Sequence, residues 1–373
     1  MIRVLGMMSG TSMDGVDAAL IDTDGVRIGG FGRRAFRAYS DNEAAVLHAA
    51  LGRWPGDDGV DDAAALSVAS HAAMAADFPE AELIGYHGQT LAHDPQGRGT
   101  HQAGDGFALA RAVDRPVVWD FRSEDVRQGG EGAPLAPFFH WACADWAVGQ
   151  GHMPAQPVAF LNLGGVGNLT WADPTAPAPD APGACLAFDT GPANAPINDL
   201  MRRRLRRSHD AGGALAAGGR AEAAIVADFL RHPWFDRPPP KSLDRDQFAD
   251  LAAAIGPLAD ADAAATLVAA LAGAVAAGFR WLPDVPSVLL VCGGGRHNPV
   301  IMARLAEILP CAVRPVEAAG LDGDMLEAQA FGWLAARVMR GLPTSGPTTT
   351  GVPGPCCGGR ISHPRGRFFV TRP

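Results

Sequence analysis

Residues 10–15, Gly-Thr-Ser-Met-Asp-Gly, lie between two apolar runs, 4–8 and 16–21. Backbone N–H groups and hydroxyls crowded into such a turn can wrap phosphate oxygens. Asp14 and Asp17 could stand behind a Mg²⁺ ion that keeps most of its waters. The segment lacks the GK[ST] ending of a Walker A loop and no helix follows it, and a polar hairpin turn would read the same way. A second glycine turn, 164–168 (Gly-Gly-Val-Gly-Asn), separates the apolar runs 158–163 and 169–171. In Phe188-Asp189-Thr190-Gly191-Pro192 a carboxylate ends an apolar strand, where α/β proteins bind ligands; a helix N-cap accounts for it equally well. Cys292-Gly293-Gly294-Gly295-Arg296-His297-Asn298 reads as strand, turn and helix start. Its glycines would let a flat or anionic group reach the backbone, although any tight strand-to-helix turn looks identical.

Three further segments are dense in polar groups: 86–90 (Tyr-His-Gly-Gln-Thr), 101–105 (His-Gln-Ala-Gly-Asp) and 120–125 (Asp-Phe-Arg-Ser-Glu-Asp). Each sits beside a strand end, and together they supply donors and acceptors suited to a sugar. His87, His93 and His101 have no metal-ligand spacing and no cysteine partner, so no zinc site is expected. The arginines of 202–207 read as a solvated helical face.

The elements that must position these groups belong to a chain of 373 residues, long enough for two domains. Apolar residues make up 47% and charged ones 19%, which is a globular composition. A formal charge of −9 leaves no cationic surplus for phosphate backbones, so nucleic acid is excluded as a general partner. The N-terminal apolar run is too short and too glycine-broken for a signal peptide. Residues 263–279 are uncharged but alanine-rich, and read as a buried helix, not a membrane span. Six cysteines without a regular framework fit reduced thiols, and the cytoplasm is the expected compartment.

Strands are expected at 4–8, 16–21, 83–86, 117–120, 158–163, 169–171, 185–188 and 288–292. Helices are expected at 63–78, 102–112, 195–207, 249–281, 299–309 and 326–340. Strands alternating with helices define an α/β fold. The two strand–glycine turn–strand units suggest a duplicated architecture, one unit opening each lobe.

With these motifs in hand, the chain closely resembles the anhydro-N-acetylmuramic acid kinases over nearly its full length. The resemblance is carried by 8–17 (MSGTSMDGVD), 87–90 (HGQT), 120–123 (DFRS), 132–135 (GAPL), 162–165 (NLGG), 188–192 (FDTGP), 293–295 (GGG) and 320–324 (GLDGD). It implies a two-lobed actin-like ATPase fold with a duplicated mixed-sheet core. The N-terminal lobe would take 1–135 plus 345–373 and the C-terminal lobe 136–344.

It also implies ATP and Mg²⁺ as cofactors. The nucleotide would be bound by Gly10, Thr11, Ser12, Met13, Asp14, Gly15, Val16, Asp17, Gly164, Gly165, Gly293, Gly294, Gly295 and Asn298. Asp189 falls on the catalytic base that activates a water. His87, Gln89, Thr90, Gln102, Asp120, Arg122 and Glu327 would face an anhydro-amino sugar, with no resident metal beyond the nucleotide's. A small molecule is then the partner, with neither nucleic acid nor membrane, and a homodimer is left open. The chain departs from the family at Ala193, where glycine is usual, at 241–246 (Lys-Ser-Leu-Asp-Arg-Asp) in place of KSTGRE, and at Cys356-Cys357. Two alternatives stand beside this reading: a kinase for another 1,6-anhydrosugar such as levoglucosan, and a nucleotide-gated binding protein without chemistry.

Overall fold

The computed structural model describes residues 1–10, 12–243 and 247–365. The chain divides into two compact units, Met1–Trp146 with Met325–Pro373, and Ala147–Asp324. Residues 136–146 and 325–344, expected in the second lobe, therefore belong to the first unit. The reason is packing: the helix Leu326–Met339 lies on the first sheet, and Phe139 meets Trp333 in the same layer (ring centroids 6.1 Å apart).

The first sheet contains β1 (Ile2–Ser9), β2 (Gly15–Thr23), β3 (Ile28–Ala38), β4 (Leu83–Asp94), β5 (Gly99–Ala103), β6 (Val117–Trp119) and β12 (Arg360–Ser362). Its path is β12-β6-β4-β1-β2-β3, with β5 paired to β4. Strands β4 and β6 run parallel to β1, while β2 and β3 turn back antiparallel. The second sheet holds β7 (Val158–Leu163), β8 (Val166–Ala172), β9 (Cys185–Pro192), β10 (Val288–Cys292) and β11 (Ala312–Pro315), in the order β11-β10-β7-β8-β9. Here β10 and β11 are the parallel strands and β8 and β9 the antiparallel ones. The two sheets thus repeat one plan: a leading hairpin, a third antiparallel strand, and two parallel strands on the other flank. The duplicated mixed-sheet core expected from two glycine turns is present as a five-strand order in each unit.

Central strands read as unbroken apolar runs because helices cover both faces. In the first unit the helices Val60–Ala76 and Gly106–Val113 meet Leu5, Met7, Ile84 and Tyr86 on one face. On the other face the helix Leu326–Met339 comes so close to β1 that a Cβ on Gly6 would stand 1.8 Å from the Ala328 carbonyl oxygen; only glycine fits there. In the second unit the alanine-rich helix Asp260–Gly278 is the one described helix long and apolar enough to cross a membrane, and it lies in the core against Phe188, Leu161 and Val291.

Several elements differ from expectation. Residues 102–112 do not form one helix: Gly99–Ala103 pairs with an extension of β4, and Asp105 then caps a new helix through Phe107 N (2.8 Å). The expected helix 195–207 is α-helical over Asn194–Leu200, continues as a π-helical turn, Met201–Leu205, and stops at Arg206, which has φ 57°. Strand β9 runs on to Pro192, so Asp189 lies inside a strand and is no N-cap.

Asp125, fully buried, ties the C-terminal segment to this frame. Its Oδ1 accepts from Gly132 N (2.7 Å), and its Oδ2 accepts from Thr350 Oγ1 (2.6 Å) and Ser345 Oγ. Three donors on one carboxylate satisfy it without a cation. Asp125→Ala leaves all three unmet and should lower unfolding free energy by roughly 3 kcal/mol or more. Asp125→Asn should cost less, because either hydroxyl can turn to accept from the amide. Urea unfolding of both variants measures the difference.

Candidate active site

Each unit contributes its own polar groups where strands end. In the first unit the turn between β1 and β2 is braced from below. Gln89 is fully buried; its Oε1 accepts from Ser9 Oγ (2.5 Å) and its Nε2 donates to the Gly10 carbonyl (3.1 Å). Gln89, expected at a sugar, lies at a strand centre sealed from water and braces the turn from within; its Nε2 also lies 3.4 Å from the Thr90 carbonyl. At the tip, Ser12 Oγ donates to Asp14 Oδ1 (2.7 Å), and both residues are exposed. Met13 has φ 54° and drops its side chain among Leu47, Val60 and Leu91, and Val16 is buried in the sheet core. These two positions can present backbone alone to a ligand. Gly15 and Asp17 open β2, and Thr11 lies outside the described residues.

Beside this turn His87 is 3% exposed, and both its ring nitrogens are engaged. Nε2 faces Arg122 Nε at 3.0 Å, and a guanidinium can only donate, so this nitrogen accepts; Nδ1 donates to the Gly88 carbonyl (2.9 Å). Burial first, then the nearby Arg122 charge, hold the imidazole neutral, well below its ordinary pKa. His87 therefore orients Arg122, and it also lines the cavity beside this cluster. Arg122 also donates to the Gly132 carbonyl (2.7 Å), and burial brings it down to about 10, still cationic at neutral pH. Glu327 opens the helix Leu326–Met339 with its side chain accessible to solvent. The protein around it raises its carboxyl above the usual range, partly offset by Arg122.

A cavity of about 260 Å³ adjoins this cluster, walled by Trp119, Asp120, Ser123, His101 and Gln102. Asp120 adopts φ 53°; its carboxylate accepts from Ser123 Oγ and pairs with Arg360 Nε (2.9 Å), while burial raises its pKa. Gln102 Nε2 donates to Thr100 Oγ1 (2.8 Å) and lies 3.4 Å from Thr90 Oγ1.

In the second unit the structure gathers the remaining expected residues around one asparagine that the sequence reading left without a role. Asn194 Nδ2 donates to the Leu163 carbonyl (2.8 Å), and the backbone N–H groups of Ala193 and Asn194 close onto the Gly165 and Gly164 carbonyls (3.0 and 2.9 Å). The Gly293–Gly295 turn lies alongside. Gly293 has φ 71°, and a Cβ there would stand 2.3 Å from Asn162 Oδ1. Gly294 is exposed, and Gly295 is packed on Leu163. Arg296, 8% exposed, locks the turn to the 320–324 motif: it donates to the Gly293 carbonyl (3.1 Å) and pairs with Glu317 (2.9 Å) and Asp324 (2.8 Å). Asn298 caps the helix Pro299–Ile308 through Oδ1.

Asp189 is half-buried. Its Oδ1 accepts from Asn168 Nδ2 (2.8 Å), directly across the β8–β9 register, and its Oδ2 accepts from Leu243 N (2.8 Å). Burial raises this carboxyl to about 6, with the two donors opposing the shift. Asn168 stood in the second glycine turn of the sequence, but nothing short of the strand register pairs it with Asp189. Next to this residue a second cavity of about 360 Å³ is walled by Gly165, Pro192, Leu243, Arg203 and Phe248.

A nucleotide-bound Mg²⁺ needs one or two protein carboxylates beside phosphates and water. Asp14 and Asp17 suit that role at the first turn, and the described residues contain no cluster of three ligands for a resident metal.

Two α/β units share one strand plan, each with a glycine turn between antiparallel strands, and the second sets one carboxylate near neutrality. The model of the anhydro-N-acetylmuramic acid kinase family matches residues 55–364, and the chain belongs to that family. It is 64% identical over 363 residues to an anhydro-N-acetylmuramic acid kinase of Cereibacter sphaeroides, covering 97% of this chain and 96% of that one. To anhydro-N-acetylmuramic acid kinase 1 of a Jannaschia species it is 58% identical over 362 residues, covering 97% and 95%. Among solved structures it has a distant likeness to a ROK family glucokinase from Streptomyces griseus in complex with glucose and AMPPNP (TM-score 0.39, 14% identity, 90% of this chain and 99% of that one).

The geometry predicts that Asp189 titrates near pH 6, read by carbon-13 NMR of aspartate-labelled protein. Asn168 donates to the charged form, so Asn168→Ala should move the midpoint upward. An unchanged or lower midpoint would separate the two residues.

Proposed function

We propose that this chain is an ATP-dependent kinase that opens 1,6-anhydro-N-acetylmuramic acid with water and delivers N-acetylmuramic acid 6-phosphate, in the recycling of cell-wall sugar. The observation that carries this reading is the Asp189 carboxylate, half-buried, held by two N–H donors and raised toward neutrality. A sugar kinase that only activates a hydroxyl needs no separate water. Here the acceptor oxygen at position six is tied to the anomeric carbon, and transfer requires that bridge to break.

Asp189 takes a proton from a water, whose oxygen bonds to the anomeric carbon. The bond from that carbon to the bridging oxygen breaks, and this oxygen bonds to the γ-phosphorus as ADP leaves. The proton passes from Asp189 to solvent, and the water oxygen remains as the anomeric hydroxyl. General-base help of this kind contributes roughly 10²–10⁴-fold. The backbone of the Gly10–Asp17 and Gly164–Gly165 turns, with Ser12, would hold the phosphates, and the Gly293–Gly295 turn with Asn298 the nucleoside. Asp14 and Asp17 would hold a nucleotide-bound Mg²⁺, which would supply charge neutralisation at the transferred group. Arg122, Asp120, Glu327, Thr90 and Gln102 would orient the sugar, Arg122 held in place by His87. The substrate is thus a small molecule, and we place the reaction in the cytoplasm.

In oxygen-18 water, product trapped early should carry the label at the anomeric hydroxyl. Unlabelled product moved into labelled water controls for exchange. Label in the phosphate would mean that water attacks ATP, and would overturn the reading. Asp189→Asn should cut kcat by about 10² or more with nucleotide affinity nearly intact. Near-normal turnover would remove Asp189 from the reaction.

A further inference from the structure

The second unit buries a lysine that this reaction does not use. Lys241 is 6% exposed, and its Nζ lies 3.2 Å from the carbonyl oxygens of both Trp234 and Phe235. It also stands 4.2 Å from the centre of the Trp234 ring and 5.9 Å from that of Trp281. No carboxylate is within ion-pair distance of it among the described residues. The charged groups around it are Arg280, Arg237 and Asp236, and Asp236 is paired with Arg280 (2.8 Å). Burial first, then the two guanidinium groups, pull the ammonium down to about 8. Burying an ammonium is costly, so a hydrophobic residue of similar length would be tolerated or preferred if packing were its whole purpose.

The main chain of the same segment shows what the lysine holds. Strand β9 is the edge of its sheet, with β8 on one side only. On its open side the Lys241 carbonyl accepts from Asp189 N (2.9 Å), and two residues on Leu243 N donates to Asp189 Oδ2 (2.8 Å). Between them the Ser242 carbonyl faces Trp234 Nε1 at 3.4 Å. Lys241 and Leu243 therefore grip the backbone and the carboxylate of Asp189, Ser242 between them meets Trp234, and the side-chain anchor of the segment is the Lys241 ammonium seated in the turn Pro233–Asp236.

We infer that Lys241 is a positioning residue for Asp189: its ammonium, docked on the Trp234 and Phe235 carbonyls, fixes residues 241–243 so that the Leu243 N–H meets the carboxylate. This rests on the reading of Asp189 as the base. Lys241 touches neither the carboxylate nor a ligand, and its charge acts through the placement of one N–H. That N–H favours the ionised carboxylate and aims its second oxygen. Loosening the anchor weakens the bond, makes the carboxyl harder to ionise and spreads its orientation.

The test compares Lys241→Met, which keeps the length and removes the charge, with Lys241→Arg, which keeps a cation, in the full-length protein. In Lys241→Met, kcat should fall about 10- to 100-fold with little change in KM for ATP. The acid limb of kcat/KM should move upward by roughly 0.5–1 pH unit. Lys241→Arg should restore most of both. A Met variant with an unmoved limb would overturn the inference, whatever its kcat, because general loosening lowers activity without shifting one carboxyl. Should Lys241→Met fail to fold by circular dichroism, Lys241→Gln, whose amide sits one bond short of the lysine Nζ and grips the two carbonyls less well, should move the limb the same way by a smaller amount, and an unmoved limb there overturns the inference. Carbon-13 titration of Asp189 in wild type and variant separates this inference from the reading beneath it. An upward midpoint in Lys241→Met supports the anchor even if Asp189→Asn proves active; equal midpoints overturn it even if Asp189→Asn is inert.

Discussion

A carboxylate that must hold its charge where water is scarce is the constraint around which the second unit is arranged. Burial pushes Asp189 toward its protonated form. Two N–H donors bring it back to about 6, one from the neighbouring strand and one from a loop on the open edge. Each donor has its own support. Asn168 is set by strand register, and Leu243 by a segment pinned through Lys241. A base tuned in this way is ionised at neutral pH and still basic enough to take a proton from water.

The glycine turns answer a different demand, close approach to charged oxygens without strain. They are braced by side chains that bond to the backbone of the turns. Gln89 props the first turn from beneath, Asn194 ties the second to the strand before it, and Arg296 clamps the third to the 320–324 motif. In each case a side chain satisfies carbonyls that a turn would otherwise leave unpaired. The polar residues of these motifs therefore divide into those that present groups outward and those that shape the backbone from inside.

The same division runs through the cluster beside the 260 Å³ cavity. His87 and Arg122 form a relay in which the neutral ring accepts from the guanidinium and so fixes its plane. Asp125 stands in the same motif as Asp120 and Arg122, yet it binds the segment that carries Ser345 and Thr350. One short motif thus holds a site residue and a structural clamp five positions apart.

The order of strands and helices was legible in the chain because apolar runs and glycine turns are local signals. The duplicated plan followed from two hairpins, and the glycines, Asp189 and the polar 86–90 and 120–125 segments were all found by residue type and spacing. Where local signals misled, a partner far along the chain decided. Residues 99–103 became a strand because β4 offered them an edge, and the helix Leu326–Met339 joined the first unit because Gly6 lets it lie close on β1. Roles within motifs were out of reach for the same reason. Whether Gln89 and His87 turn toward a ligand or into the core depends on which face of a strand is sealed, and that Asn168 meets Asp189 depends on antiparallel register. Composition and spacing determine which chemistry the chain can carry; burial and register, which exist only in the folded protein, decide which residue performs it.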